Sequence, residues 1–181
     1  MSDTRPSLML RKFLEDNDSA DALRQNQTEP DSSPEDGWPR DPFRREYCFF
    51  SGTLMDPNTL SQVLKSSERP PPPVMRRARV IGYEIKLWGP YPALLDGEPL
   101  HLVDGMVYEI LSQTELDRLA AYETDKYQLR PCLIDLLNDD DSVEKTIEGV
   151  AFMWDGQQDE LREGTFDLKQ WKKEKQLGDL D

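Results

Sequence analysis

The stretch Phe49-Phe50-Ser51-Gly52-Thr53-Leu54-Met55 leaves the fewest choices open to this chain. An aromatic run enters a tight Gly-Thr turn, and Asp56-Pro57 follows as a helix opening. Asp is a good N-cap, and Pro is tolerated at the first helical position. The order is therefore strand, glycine turn, helix start. Such a turn lets backbone N–H groups approach a ligand closely, and the helix start biases the spot toward negative charge. The turn is expected to hold an anionic substrate.

On either side, strand and turn signals alternate. Tyr47 to Phe50 reads as a buried strand, and Pro57 to Lys65 as a helix with Leu60, Val63 and Leu64 on one face. Pro70-Pro71-Pro72-Pro73 ends that helix as a stiff extended connector; a ligand for a polyproline-binding adaptor is the sharper alternative. Arg76 to Trp88 is rich in strand formers, with a bend or bulge at Gly82. Gly89-Pro90-Tyr91-Pro92 breaks it, and Ala93-Leu94-Leu95 is a short strand. Leu102 to Ile110 is another strand, in which Gly105 marks close backbone approach or a bulge. Ser112 opens a helix with Glu115 three residues on, a capping-box pattern. Leu129 to Leu137 and Lys145 to Trp154 are strands joined by Asn138-Asp139-Asp140-Asp141-Ser142, and a last helix covers Leu168 to Lys175. The order β-α-β-β-β-α-β-β-α predicts an α+β protein on a barrel-like sheet.

Residues 1–45 differ from this pattern. They hold Pro6, Pro30, Pro34, Pro39 and Pro42 among many acidic and polar residues. Too little apolar surface is present there to offset chain entropy. A disordered acidic tail is expected, with a frayed helix around Leu8 to Leu14, ahead of one domain at 46–175. The formal net charge of -14 argues against a nucleic-acid or anionic-membrane surface. No apolar run approaches the roughly 20 residues of a membrane span, and the N-terminal cluster Leu8-Met9-Leu10 is too short for a secretory signal. The 2 cysteines, Cys48 and Cys132, lie in apolar strand-like stretches and read as buried thiols, with a disulfide as the alternative. A reducing setting, cytoplasmic or nuclear, is the default expectation.

The second chemical feature is an acid. The helix from Gln113 to Tyr122 places Leu116, Leu119 and Ala120 on one stripe, and the next member of the series is Glu123. A carboxylate where an apolar residue is expected loses hydration, so its pKa rises and it becomes a proton acceptor and donor near neutrality. The competing reading is a helix-end Glu paired with Lys126 or Arg130. A negative group is disfavoured at a helix C-terminus, which favours a functional reason. Other signals are set aside. His101 lies in a loop with no Ser or Cys at a telling spacing, and Asp139-Asp140-Asp141 lacks the glycine and terminal glutamate of a calcium loop. Ser51 and Thr53 have no identifiable base beside them, so Thr53 reads as a turn stabiliser.

Four stretches together resemble the gamma-glutamylcyclotransferase-like family. Phe50-Ser51-Gly52-Thr53-Leu54-Met55 resembles its Tyr-Gly-Thr/Ser-Leu turn, and Trp88-Gly89-Pro90-Tyr91-Pro92-Ala93-Leu94 its Tyr-Pro-Ala segment. Leu116 to Tyr127 resembles its Leu-Asp-x-x-Glu helix end with a following Tyr, and Gly164-Thr165-Phe166-Asp167-Leu168 its closing motif. The resemblance covers residues 47–171 and implies a mixed barrel of six to seven strands with a few flanking helices and a cavity at one end. It implies Glu123 as the acid/base, and the Gly52-Thr53-Leu54 backbone as the seat of a substrate's glutamyl end. Ser51 stands where the family carries Tyr, which makes the pocket wider or wetter. Trp88, Tyr91 and Tyr127 are candidate pocket walls, with core packing as the plainer reading. The implied substrate is a small gamma-glutamyl amide closing on itself to 5-oxoproline, with no metal or organic cofactor. The rival readings are a non-catalytic binding protein on the same fold and an adaptor working through the acidic tail.

Overall fold

The computed structural model describes residues 43–65 and 72–178. Residues 1–42, with the Leu8–Leu14 segment, lie outside the described residues, as do Pro70 and Pro71. Seven strands and three helices are present among those described, in the order β1 (Glu46–Phe50), a 3-10 turn (Thr53–Met55), α1 (Pro57–Val63), β2 (Met75–Ile81), β3 (Tyr83–Trp88), β4 (Tyr91–Asp96), β5 (Leu102–Ile110), α2 (Gln113–Glu123), β6 (Tyr127–Leu137), β7 (Val143–Trp154), a second 3-10 turn (Gln158–Glu160) and α3 (Leu168–Gly178). Five of the strands close a barrel in the order β1-β5-β2-β6-β7. Its pairs are antiparallel except the closing one, where β1 runs parallel to β7 through Cys48–Val150 and Phe49–Ala151.

β3 and β4 form a separate two-stranded sheet. The expected strand Arg76 to Trp88 is thus two strands, because Gly82 takes φ +87 and sends the chain out of the barrel. That conformation is cheap only for glycine. The break at Gly89-Pro90-Tyr91-Pro92 is shorter than its sequence suggests. Gly89 and Pro90 make the turn, while Tyr91 and Pro92 already belong to β4, paired with Trp88 and Leu87.

The apolar runs of β1 and β7 are continuous because both faces are buried. Phe49, Ala151 and Met153 join Ala78, Val80, Val103, Val107, Ile134 and Leu136 in one core drawn from the barrel strands. Cys48, Phe50, Val150, Phe152 and Trp154 alternate with them and pack in a second core with Leu54, Leu60 and Val63 near α1 and Leu119 and Tyr122 of α2. Gly105 serves close approach: a Cβ there would stand 2.1 Å from the Phe50 carbonyl oxygen. Cys48 and Cys132 are both buried free thiols. No described helix is long and apolar enough to cross a membrane.

The caps follow the sequence with one change. Ser112 accepts from Glu115 N at 3.2 Å, but the Glu115 carboxylate reaches back to Leu111 N at 2.8 Å, one residue earlier than a standard capping box. Tyr108 OH also donates to it, which draws α2 onto β5.

Candidate active site

β1 ends at Phe50, and the chain turns at once through Ser51 and Gly52 into the 3-10 turn. Gly52 is required here by packing: a Cβ would meet Pro92 Cγ at 2.7 Å. The turn closes through Met55 N to Gly52 O at 3.0 Å and Asp56 N to Thr53 O at 3.1 Å. The first amides of a helical turn have no partner within it. Among the described residues no backbone carbonyl takes the N–H groups of Gly52, Thr53 or Leu54. Asp56 then caps α1, accepting from Thr59 N at 3.2 Å and Thr59 Oγ1 at 3.0 Å.

α2 delivers the acid from the other side. Leu119 and Tyr122 are its buried residues, Leu116 is half-buried, and Ala120 is exposed, so the expected stripe is corrected by about one position. The bulky Tyr122 ring, wedged into the core, turns the helix to this face. Glu123 is its last residue, and Thr124 beyond it takes φ 70 and ψ 177. That region is almost restricted to glycine and costs about 1–3 kcal/mol for other residues. The strain sits where the chain must leave the helix with Glu123 facing inward and enter β6 three residues on.

Glu123 is half-buried and lines the cavity, and protein surrounds its carboxyl closely enough for desolvation to push the pKa up to about 8. The bases that could have neutralised it are engaged elsewhere. Lys126 pairs with Glu160 at 3.0 Å, and the Arg130 guanidinium lies 3.9 Å from Asp96. Burial first, and the Glu123 charge after it, keeps Tyr127 protonated far above neutrality. For Tyr122 burial likewise dominates, with a hydrogen bond to Thr53 opposing it.

The cavity measures about 30 Å³ and is lined by Ser51, Gly52, Thr53, Leu54, Glu123 and Tyr127, with Tyr91 and Pro92 facing them from β4. Tyr127 OH donates to the Pro92 carbonyl at 3.0 Å, joining β6 to that facing lip. Trp88 is not in the lining. It stacks behind it, 6.5 Å from Tyr91, 6.5 Å from Tyr127 and 5.3 Å from Trp154 between ring centroids, so it is a wall only at one remove. Sequence reasoning missed Tyr122 and Pro92. Tyr122 OH and Thr53 Oγ1 lie 2.8 Å apart and tie the end of α2 to the turn. A helical face centred on Leu119 and Tyr122 would have revealed the tyrosine; nothing local points to Pro92 as a partner of Gly52.

No family model matches this chain, and no curated protein matches it by sequence. Solved structures do share its architecture. The solution structure of At5g39720.1 from Arabidopsis thaliana is 23% identical, covers 76% of this chain and 87% of that one, and superposes with a TM-score of 0.53. That of At3g28950.1 from the same plant is 19% identical over 80% and 82%, with a TM-score of 0.54. An AIG2-like protein from Mus musculus is 18% identical over 69% and 90%, with a TM-score of 0.51. At such identities the likeness is one of fold, and that fold is the gamma-glutamylcyclotransferase-like one.

Proposed function

We propose that this protein cleaves a small gamma-glutamyl amide by cyclotransfer. The substrate's own α-amine attacks its γ-carbonyl carbon, a C–N bond closes the five-membered lactam 5-oxoproline, and the former amide C–N bond breaks to release an amine or amino acid. One observation carries this reading: a desolvated carboxyl, Glu123, shares a cavity with the amides of Gly52, Thr53 and Leu54, which no backbone carbonyl among the described residues takes.

The reaction needs no nucleophile from the protein, because the attacking group is in the substrate. It needs the two ends held together, which turns a floppy chain into a near-attack geometry. It also needs a proton moved from the attacking ammonium to the leaving nitrogen, and one carboxylate serves both steps in turn. The substrate's α-ammonium stands beside a free α-carboxylate and is more basic than a peptide terminus, about 8. A Glu123 carboxyl raised to about 8 is a closer match to it than an ordinary carboxylate, and transfer between them replaces an ion pair by two neutral groups. The turn amides suit the substrate's glutamyl end and the oxyanion formed at the γ-carbon.

A volume of about 30 Å³ holds no more than about two waters. The pocket therefore widens when substrate enters. The test is incubation with a panel of gamma-glutamyl amino acids, dipeptides and amines. Release of 5-oxoproline from one of them is expected; binding without any such release would leave a non-catalytic pocket.

A further inference from the structure

A donor set made of backbone amides is only as well ordered as the turn that carries it. Behind this turn stands Asp56, 5% exposed. Its Oδ2 is engaged by Thr59, which suffices to cap α1. Its Oδ1 accepts a further bond from Lys172 Nζ at 2.7 Å, across 116 residues of sequence. A helix cap has no need of that charge. Lys169, Lys173 and Lys175 of the same helix are exposed, whereas the half-exposed Lys172 reaches the buried Asp56.

From Asp56 the bonding continues. Its amide donates to Thr53 O at 3.1 Å, and the Thr53 hydroxyl meets Tyr122 OH at 2.8 Å, one residue before Glu123. A single chain of hydrogen bonds thus runs from α3 through the cap and the turn to the end of α2. The same C-terminal segment is fastened to the facing lip. Leu87 and Arg162 exchange two backbone bonds of 2.9 Å, the Arg162 guanidinium donates to Gly89 O at 3.2 Å, and Lys86 pairs with Glu163 at 2.9 Å. Residues 162–172 therefore bridge the hairpin that bears Tyr91 and Pro92 to the turn across the cavity.

We propose that Lys172 is a positioning residue: through Asp56 it keeps the amides of Gly52, Thr53 and Leu54 in their binding arrangement. This rests on the reading of the turn as the substrate's seat. If the turn is released, only a fraction of molecules is competent to bind, and the apparent affinity falls by that fraction. Saturating substrate restores the arrangement, so KM rises while kcat is kept. Loss of folded protein does the opposite, lowering apparent kcat at constant KM.

The experiment compares Lys172→Met, Asp56→Asn, the double variant and Lys172→Arg. The first two are expected to raise KM about tenfold, the scale of one charge-assisted hydrogen bond, with kcat within about twofold. The double variant should be no worse than either single one, and Lys172→Arg should restore KM. Unchanged KM in Lys172→Met, or a loss confined to kcat, overturns the proposal. Amide hydrogen exchange of Met55 and Asp56 is read on the same proteins without substrate. It should quicken about tenfold in Lys172→Met while β6 and β7 stay unchanged. Unchanged exchange at those two amides sinks the clasp whatever the substrate is. Faster exchange in a protein whose wild type makes no 5-oxoproline counts against cyclotransfer and for the clasp.

Discussion

Glu123 and Asp56 are carboxylates on the two sides of one turn, both packed into protein, and their charge states are opposed. The Glu123 carboxyl ends α2 inside the cavity, and desolvation raises its pKa to about 8. Burial pushes Asp56 upward too, but hydrogen bonds from Lys172 and Thr59 outweigh it and hold the carboxyl below the usual range. Burial alone sets the ionisation of Glu123, whereas at Asp56 the donors that arrive with the burial outweigh it. The cap side of the turn is furnished with a cation and a hydroxyl and stays charged and fixed. The cavity side is furnished with aromatic walls and keeps a proton to exchange.

The sharpest way to break this contrast is to remove the exchangeable proton. Glu123→Gln is isosteric, should fold with an unchanged circular dichroism spectrum, and should lower 5-oxoproline formation by about 10²–10⁴-fold, the range for loss of a general acid/base. Retained turnover would take this residue out of the mechanism.

Next in size are two pH dependences of opposite sign. Folded Glu123 binds its proton more tightly than the unfolded chain, so ionising it costs stability as pH rises from about 4 to the folded value near 8. The melting temperature of Glu123→Gln relative to wild type should therefore climb from pH 5 to pH 9. Asp56 has the reverse linkage. Its contribution is present above about pH 4 and is lost as pH falls through the lower folded value. The deficit of Asp56→Asn should be full at neutral pH and shrink in acid. Parallel curves for either variant and wild type would show that its carboxyl is not perturbed as described.

The smallest effect concerns the tie between the two sides. Tyr122→Phe removes the bond to Thr53 and should cost about 1 kcal/mol in urea denaturation, the net worth of one buried hydrogen bond. A loss indistinguishable from zero would mean that turn and helix hold their places without it.

The local half of this molecule was legible in its residues. Asp56-Pro57 starts α1, Ser112 starts α2, and Gly82 and Gly89 mark the turns around β3, because caps and dihedral preferences act within a few residues. The aromatic run Tyr47 to Phe50 marked β1 as buried, and the helical period brought an acid to position 123. What the order of elements could not supply was partnership across distance. Five strands rather than six or seven close the barrel, since the path after Gly82 depends on what the outgoing hairpin packs against. Trp88 lies behind Tyr91 and Tyr127 for the same reason.

The sequence by itself determined where the chain turns and which residue types stand at those turns. Only the tertiary structure decided that Lys126 and Arg130 pair with Glu160 and Asp96 rather than with Glu123, while Lys172 travels to Asp56. The physical reason is one of range. Backbone preferences are spent within a turn of chain, whereas the energy of a charge depends on every group that folding gathers within a few ångströms of it.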